Sequence, residues 1–115
     1  MKKTALFAFN GEPMCFAHVL LNAIDMHEHG IEVKIIIEGT ATRQIKELSD
    51  QSKPFANLYA KVKQLGLIDC VCKACAAKTG SLDAAAEQQL NLCDEMSDHP
   101  SMRRYDASGY SIITF

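Results

Sequence analysis

The sequence lacks the features that mark membrane, repetitive and multidomain proteins. No apolar run approaches the length that crosses a bilayer, and the run that follows Met1-Lys2-Lys3 stops before Asn10, too short for the core of a signal peptide. Low-complexity segments, internal repeats and interdomain linkers are also missing. We therefore expect a single domain over residues 1–115, in a cytoplasmic protein with no membrane partner.

Charge and motifs make several functions improbable. The net charge is only −2 and no long cationic run is present, which gives no electrostatic reason to expect a nucleic-acid partner. No glycine-rich phosphate loop, no Ser/His/Asp set and no closely spaced pair of carboxylates stands out. Phosphoryl transfer, hydride transfer and hydrolysis are therefore unsupported, and we expect no cofactor.

Apolar runs alternate with amphipathic ones along the chain, which is typical of strands separated by helices. Strands are predicted at 4–9, 31–37, 67–72, 91–96 and 110–115, of which the fourth is weak. Helices are predicted at 14–29, 41–49, 54–65, 73–78, 82–90 and 100–108. Strands joined by helical crossovers pair in parallel. The sequence therefore predicts a three-layer α/β/α domain with a mostly parallel sheet of about five strands.

Three of the five cysteines, Cys70, Cys72 and Cys75, fall within six positions where an apolar run becomes an alanine-rich one. A cysteine at such a strand-to-helix junction meets unpaired backbone N–H groups and the positive end of the helix dipole, which lower a thiol pKa. Lys73 adds positive charge nearby. We therefore expect Cys72 to be ionised and reachable from solvent, with Cys75 one helical turn away.

All five cysteines are expected to be reduced, catalytic or metal-bound rather than in disulfides, because disulfides are rare in cytoplasmic proteins and the number of cysteines is odd. Cys93 is expected to pack in the core, as unligated cysteine often does. Functional groups of parallel sheets gather at the carboxyl ends of the strands. This placement predicts that Cys15 and His99 join Cys72 and Cys75 at one rim, although Cys15 equally fits an apolar packing role.

The element order, the strand that ends in Val71-Cys72, the alanine-rich turn to Gly80 and the final segment 110–115 resemble the DsrE/DsrF-like family of sulfur-relay proteins. That family includes the DsrE/DsrF/DsrH and TusB/TusC/TusD carriers. In its carriers a cysteine about eight residues before such a glycine holds a persulfide, and Cys72 matches that position. The resemblance implies a DsrE-like fold, a trimer or hexamer, and sulfane-sulfur transfer between donor and acceptor proteins.

Three functions remain open. The leading hypothesis is a sulfur carrier or sulfurtransferase with a persulfide on Cys72 and Cys75 as resolving thiol. The second is a redox or sensing protein in which Cys72 and Cys75 cycle between dithiol and disulfide. The third is a metal site built from Cys70, Cys72, Cys75 and either Cys15 or His99. Residues that could support the thiol chemistry are Cys15, Lys73 and His99.

Overall fold

A computed structural model describes all residues of the chain, 1–115. Its strands are β1 (Lys3–Ala8), β2 (Glu32–Ile37), β3 (Ile68–Cys72), β4 (Leu92–Cys93) and β5 (Ser111–Thr114). Its helices are α1 (Pro13–Glu28), α2 (Arg43–Glu47), α3 (Ala56–Gln64), α4 (Lys73–Thr79), α5 (Leu82–Glu87) and α6 (Met102–Ala107). The strands lie in the order β4-β3-β2-β1-β5, and every neighbouring pair is parallel. The predicted α/β class and five-stranded parallel sheet are confirmed.

Apolar sequence explains why β1 and β2 lie at the centre of the sheet. The side chains of Ala5–Ala8 and Ile35–Ile37 are at most 1% exposed. A strand that is covered on both faces needs apolar residues at consecutive positions rather than at alternate ones. The shorter β4 and β5 carry more exposed residues, and they form the two edges.

The two faces of the sheet are covered unequally. The larger apolar cluster joins one face to side chains from α1 through α5. On the other face the smaller cluster contains Phe7, Ile36, Cys70 and Cys93, and α6 contributes only Tyr105 to it. The chain therefore forms three layers, of which the layer that holds α6 is thin. None of the helices combines the length and apolar character needed to span a membrane.

Three predicted element boundaries are wrong for local reasons. The helix expected over 41–49 is divided into a 3₁₀ turn (Gly39–Thr42) and α2, and the Thr42 hydroxyl donates to the Gly39 carbonyl in that turn. The helix expected to begin at Pro54 begins at Ala56. The fourth strand is only two residues long, since the chain turns sharply at residues 96–99.

Candidate functional site

Three side chains that can donate an electron pair converge at the carboxyl end of β3. The Sγ atom of Cys72 lies 3.0 Å from Nδ1 of His99, and the Sγ atom of Cys75 lies 4.0 Å from the same nitrogen. All three atoms are within 4.8 Å of one another. Three of the four residues that the sequence placed at the rim therefore meet: Cys72 from β3, Cys75 from α4 and His99 from the turn after β4.

Cys72 is the last residue of β3 and the N-cap of α4. Its sulfur accepts a hydrogen bond from the backbone N–H of Cys75 at 3.4 Å and lies 3.7 Å from the carbonyl oxygen of Asp98. Depending on the imidazole tautomer, either the thiol donates to Nδ1 of His99 or the ring N–H donates to a thiolate. His99 therefore lies in direct contact with Cys72, at the rim where the sequence placed both residues.

The predicted exposure of Cys72 is wrong, and so is the predicted lowering of its pKa. The residue is 0% exposed. Burial raises the pKa of the Cys72 thiol to about 12, which outweighs the lowering effect of the Cys75 N–H, and the nearby Cys75 and Glu38 raise it further. Cys75 is half-buried and is therefore the more accessible thiol of the pair.

A chain of hydroxyl groups fixes the helix that carries Cys75. The Thr42 side chain lies 2.7 Å from the Thr79 hydroxyl, and that hydroxyl lies 2.9 Å from the side chain of Ser81. Thr42 also donates to the backbone carbonyl of Cys75 at 3.4 Å. Because Thr42 and Ser81 are fully buried, these bonds attach α4 to the 3₁₀ turn and hold Cys75 in position.

His99 reaches the site from a tight turn. Met96 and His99 exchange two backbone hydrogen bonds of 2.9 Å, and the residues between them, Ser97 and Asp98, have φ angles of 49° and 66°. Positive φ at both central positions defines a type I′ turn, which costs free energy without glycine. The Ala74 N–H donates to the Asp98 carbonyl at 2.9 Å, so the turn is attached directly to the start of α4.

Glu38 is a functional candidate that the sequence reasoning did not single out. It is only 7% exposed, and its carboxyl group has no hydrogen bond or ion pair to any side chain. Burial raises the pKa of Glu38 to about 7. The sequence could have identified Glu38 by its position directly after β2, because groups at the carboxyl ends of parallel strands meet at one edge of the sheet.

Glu38 and His99 share a cavity of about 450 Å³ with Arg103. Apolar side chains form much of the rest of its wall, and they include Phe9, Met96, Pro100 and Met102. A larger cavity of about 580 Å³ lies beside α2 and contains no cysteine or histidine. The smaller cavity is the one that adjoins the reactive side chains, because His99 belongs both to its wall and to the cysteine cluster.

Close backbone contacts set the position of Glu38. A side chain at Gly11 would lie 2.3 Å from the carbonyl oxygen of Thr40, so only glycine fits where the loops after β1 and β2 touch. Gly39 has a φ of 55°, and an added Cβ there would lie 2.9 Å from the carbonyl oxygen of Phe9. These two glycines let the chain turn directly after Glu38.

Cys15 and Lys73 do not join the cluster. Cys15 is in the first turn of α1, where its backbone N–H donates to the Glu12 carboxylate, and it lines a separate cavity with His18. Cys15 therefore follows a strand end, as expected, but lies outside the cluster, because α1 starts beyond β1, two strands away from β3. Lys73 is exposed and is not among the groups that shift the pKa of the Cys72 thiol.

Cys70 and Cys93 form a disulfide, with Cα atoms 5.7 Å apart. The expectation that all cysteines are reduced is therefore wrong for this pair, since residues of β3 and β4 on the same face of neighbouring strands come within bonding distance. The free cysteines are Cys15, Cys72 and Cys75. A metal site that includes Cys70 is excluded while this disulfide is intact.

Comparison with known proteins gives relatives but no activity. No protein-family model matches the chain, and no solved structure matches it. The uncharacterized protein MJ0733 of Methanocaldococcus jannaschii is 35% identical over 96 residues, which cover 84% of this chain and 76% of the relative. The chain belongs to the same family as MJ0733. An uncharacterized protein of Archaeoglobus fulgidus is 49% identical over 41 residues, which cover 36% of this chain and 67% of that relative.

Proposed function

We propose that this protein is a sulfur carrier that holds sulfane sulfur as a persulfide on Cys72, as its resemblance to DsrE/DsrF-like carriers implies. The observation that carries the proposal is the 3.0 Å contact between Sγ of Cys72 and Nδ1 of His99, with the thiol of Cys75 beside it. A nucleophilic thiol needs a base within hydrogen-bond distance and a donor for its anionic form. His99 and the N–H of Cys75 meet these two needs.

The loading step exchanges one sulfur–sulfur bond for another. His99 accepts the thiol proton of Cys72, and the resulting thiolate attacks the outer sulfur of the persulfide that delivers the sulfur. The bond from Cys72 to that sulfur forms as the S–S bond of the delivering persulfide breaks, and the departing thiolate takes up the proton. Transfer to an acceptor thiol is the reverse reaction on a new partner, so neither step needs an outside oxidant or reductant.

Cys75 explains how sulfur reaches a buried Cys72. Because Cys75 is half-buried and Cys72 is 0% exposed, we assign Cys75 as the thiol that meets the donor first. A persulfide on Cys75 then passes its outer sulfur to Cys72, and Cys75 regains its proton. Burial then keeps water and other thiols away from the persulfide on Cys72, which suppresses its premature release.

The partners in this proposal are a sulfur donor protein and a sulfur acceptor protein. Phe9, Met96 and Met102 are 36%, 56% and 36% exposed around the cavity that contains His99. Their exposed apolar surface suits a transient protein contact at the mouth of the site. The family resemblance also implies a trimer or hexamer of this chain.

Intact-mass spectrometry after treatment with inorganic polysulfide tests the proposal. We expect the protein to gain one sulfur atom, which reductant removes. Cys72→Ser should abolish the stable gain, and Cys75→Ser should slow loading while leaving the final gain in place. Cys15→Ser is the matched control, because Cys15 is a free cysteine outside the cluster, and it should load like the unmodified protein. Equal loading of the Cys72→Ser variant contradicts the proposal.

A dithiol switch is the second candidate, and the proximity of the two thiols favours it. The Sγ atoms of Cys72 and Cys75 are within 4.8 Å of each other. If Cys75 attacks the inner sulfur of a Cys72 persulfide, hydrogen sulfide leaves and a Cys72–Cys75 disulfide forms. A loss of two hydrogen atoms with release of sulfide, and without retained sulfur, identifies this outcome in the same experiment.

A further inference from the structure

The cluster of Cys72, Cys75 and His99 has the composition of a transition-metal site. Two thiols and one imidazole are a ligand set that selects borderline-soft cations such as Zn²⁺ over Mg²⁺ or Ca²⁺. The spacing Cys72-x-x-Cys75 places both sulfurs at the start of one helix, and His99 approaches them from the turn at residues 96–99. Ligands from two separate segments are typical of zinc sites.

The interatomic distances fit a tetrahedral ion. With Zn–S bonds of about 2.3 Å and Zn–N bonds of about 2.0 Å, a tetrahedral site separates sulfur from nitrogen by about 3.5 Å. The two measured separations from Nδ1 are 3.0 Å to Cys72 and 4.0 Å to Cys75, one on each side of that value. Shifts of about 0.5 Å, which side-chain rotation supplies, bring both sulfurs to bonding distance.

The chain holds these ligands in place before any ion binds. The buried hydroxyls of Thr42 and Ser81 attach the helix of Cys75, and the turn at Ser97 and Asp98 directs His99 toward the sulfurs. That turn uses two non-glycine residues at positive φ, a conformation that persists only where surrounding structure enforces it. Ordered ligands lose little freedom when a metal binds, which favours affinity.

The charge around the cluster also favours a cation. Glu38 is 7% exposed and lacks a hydrogen-bond or ion-pair partner, and it lines the cavity to which His99 belongs. The Glu38 oxygens have no partner in the protein and reach solvent through this cavity. Arg103 lines the same cavity but forms no ion pair with Glu38. The Glu38 carboxylate is close enough to the Cys72 thiol to influence its charge, so it also favours a cation at the cluster.

We propose that Cys72, Cys75 and His99 bind one Zn²⁺ ion, with a fourth coordination position that no side chain of this cluster fills. Binding releases one proton from each thiol, so the ion and its two thiolates form a neutral unit. Catalytic and ligand-exchanging zinc sites typically keep one coordination position free of protein ligands. The proposal is independent of sulfur transfer, since it requires only that the three ligands bind metal.

Titration of the full-length protein with Co²⁺ tests the site, because tetrahedral Co²⁺ bound to thiolates gives visible absorption bands and Zn²⁺ displaces it. The protein is prepared without an added reductant that opens the Cys70–Cys93 disulfide. We expect one ion per chain, counted by native mass spectrometry with two protons lost. Cys75→Ser and His99→Gln should each weaken Zn²⁺ binding at least about a hundredfold, since even outer-shell changes cost 10- to 100-fold.

Control variants separate this site from other thiols. Cys15→Ser should keep full affinity, and the paired variant Cys70→Ala with Cys93→Ala should also bind one ion. Circular dichroism identifies a variant that fails to fold, and Cys75→Ser gives an independent result if Cys72→Ser unfolds. Absence of thiolate-to-cobalt absorption, or binding that survives both Cys75→Ser and His99→Gln, overturns the proposal. Sulfur loading measured in chelator is a separate result, so failure of one proposal is distinguishable from failure of the other.

Discussion

Cys70 and Cys72 point to the same face of β3, yet each belongs to a cysteine pair with different surroundings. Cys70 is bonded to Cys93 and lies among Phe7, Ile36 and Tyr105 in the smaller apolar cluster. Cys72, two residues later on the same strand, meets Nδ1 of His99 and the N–H of Cys75. Position along the strand therefore decides the chemistry of these thiols: Cys70 has the sulfur of Cys93 and the Tyr105 hydroxyl beside it, whereas Cys72 has an imidazole and a backbone N–H.

We expect the disulfide of Cys70 and Cys93 to contribute to stability, and the two thiols of Cys72 and Cys75 to provide reactivity. The bond closes a loop over a sequence separation of 23 residues and fastens the two-residue β4 to the sheet. The turn that carries His99 follows β4 directly. The buried pair therefore also supports the edge from which the reactive cluster is built.

The largest expected effect is the loss of the buried disulfide. Replacing both partners, Cys70→Ala with Cys93→Ala, should lower the free energy of unfolding by about 3 kcal/mol, the value for a loop of this length. Replacing the half-buried Cys75 by alanine should lower it by under about 1 kcal/mol. Urea denaturation without reductant measures both changes. Equal losses for the two variants would contradict the assigned difference between the pairs.

The next effect concerns reactivity within the set of free cysteines. Cys75 should react with iodoacetamide at least about a hundredfold faster than Cys72, because Cys72 is 0% exposed and its burial raises the thiol pKa. Cys70 and Cys93 should not react at all while their disulfide is intact. Peptide mass mapping after timed alkylation of the metal-free protein gives the order. Faster modification of Cys72 than of Cys75 would reverse the assigned roles.

The smallest effect concerns Glu38 and its pH dependence. Its folded-state pKa is raised from 4.5 to about 7, so its cost is absent below pH 4.5 and develops as the pH rises through 7. The groups near it are the Cys72 thiol and the cavity residues His99 and Arg103. At 1.36 kcal/mol per pKa unit the full shift corresponds to about 3.4 kcal/mol. Because the carboxyl oxygens keep contact with solvent, we expect Glu38 to cost about 2 kcal/mol of stability across this range.

The variant Glu38→Gln removes that carboxyl group. In metal-free protein, its stability relative to the unmodified chain should rise by about 2 kcal/mol between pH 4.5 and pH 8, because an amide does not ionise there. Glu87→Gln, a substitution on the exposed surface of α5, is the matched control and should change nothing across the range. Denaturation curves at the two pH values measure the difference. A parallel pH dependence of both variants would refute the role of Glu38.

The sequence predicted the architecture well because the pattern of apolar runs is a local property. Runs such as Ile35–Ile37 are typical of strands covered on both faces, and intervening helices favour parallel pairing. The ends of the short elements were harder to predict. The 3₁₀ turn before α2 and the early end of β4 depend on hydrogen bonds and φ angles that no single residue type specifies. The resemblance to sulfur carriers remains a prediction.

The sequence by itself determined the fold class, the strand end that carries Cys72, and the edge of the sheet at which Cys75 and His99 also lie. Only the tertiary structure decided that Cys72 is buried rather than exposed, that Cys70 bonds to Cys93, and that Glu38 lies unpaired in the cavity lined by His99. The reason is that burial and pairing depend on what neighbouring strands and loops place in the same space. The spacing of apolar residues predicts the direction in which a side chain points, but not what covers that side chain.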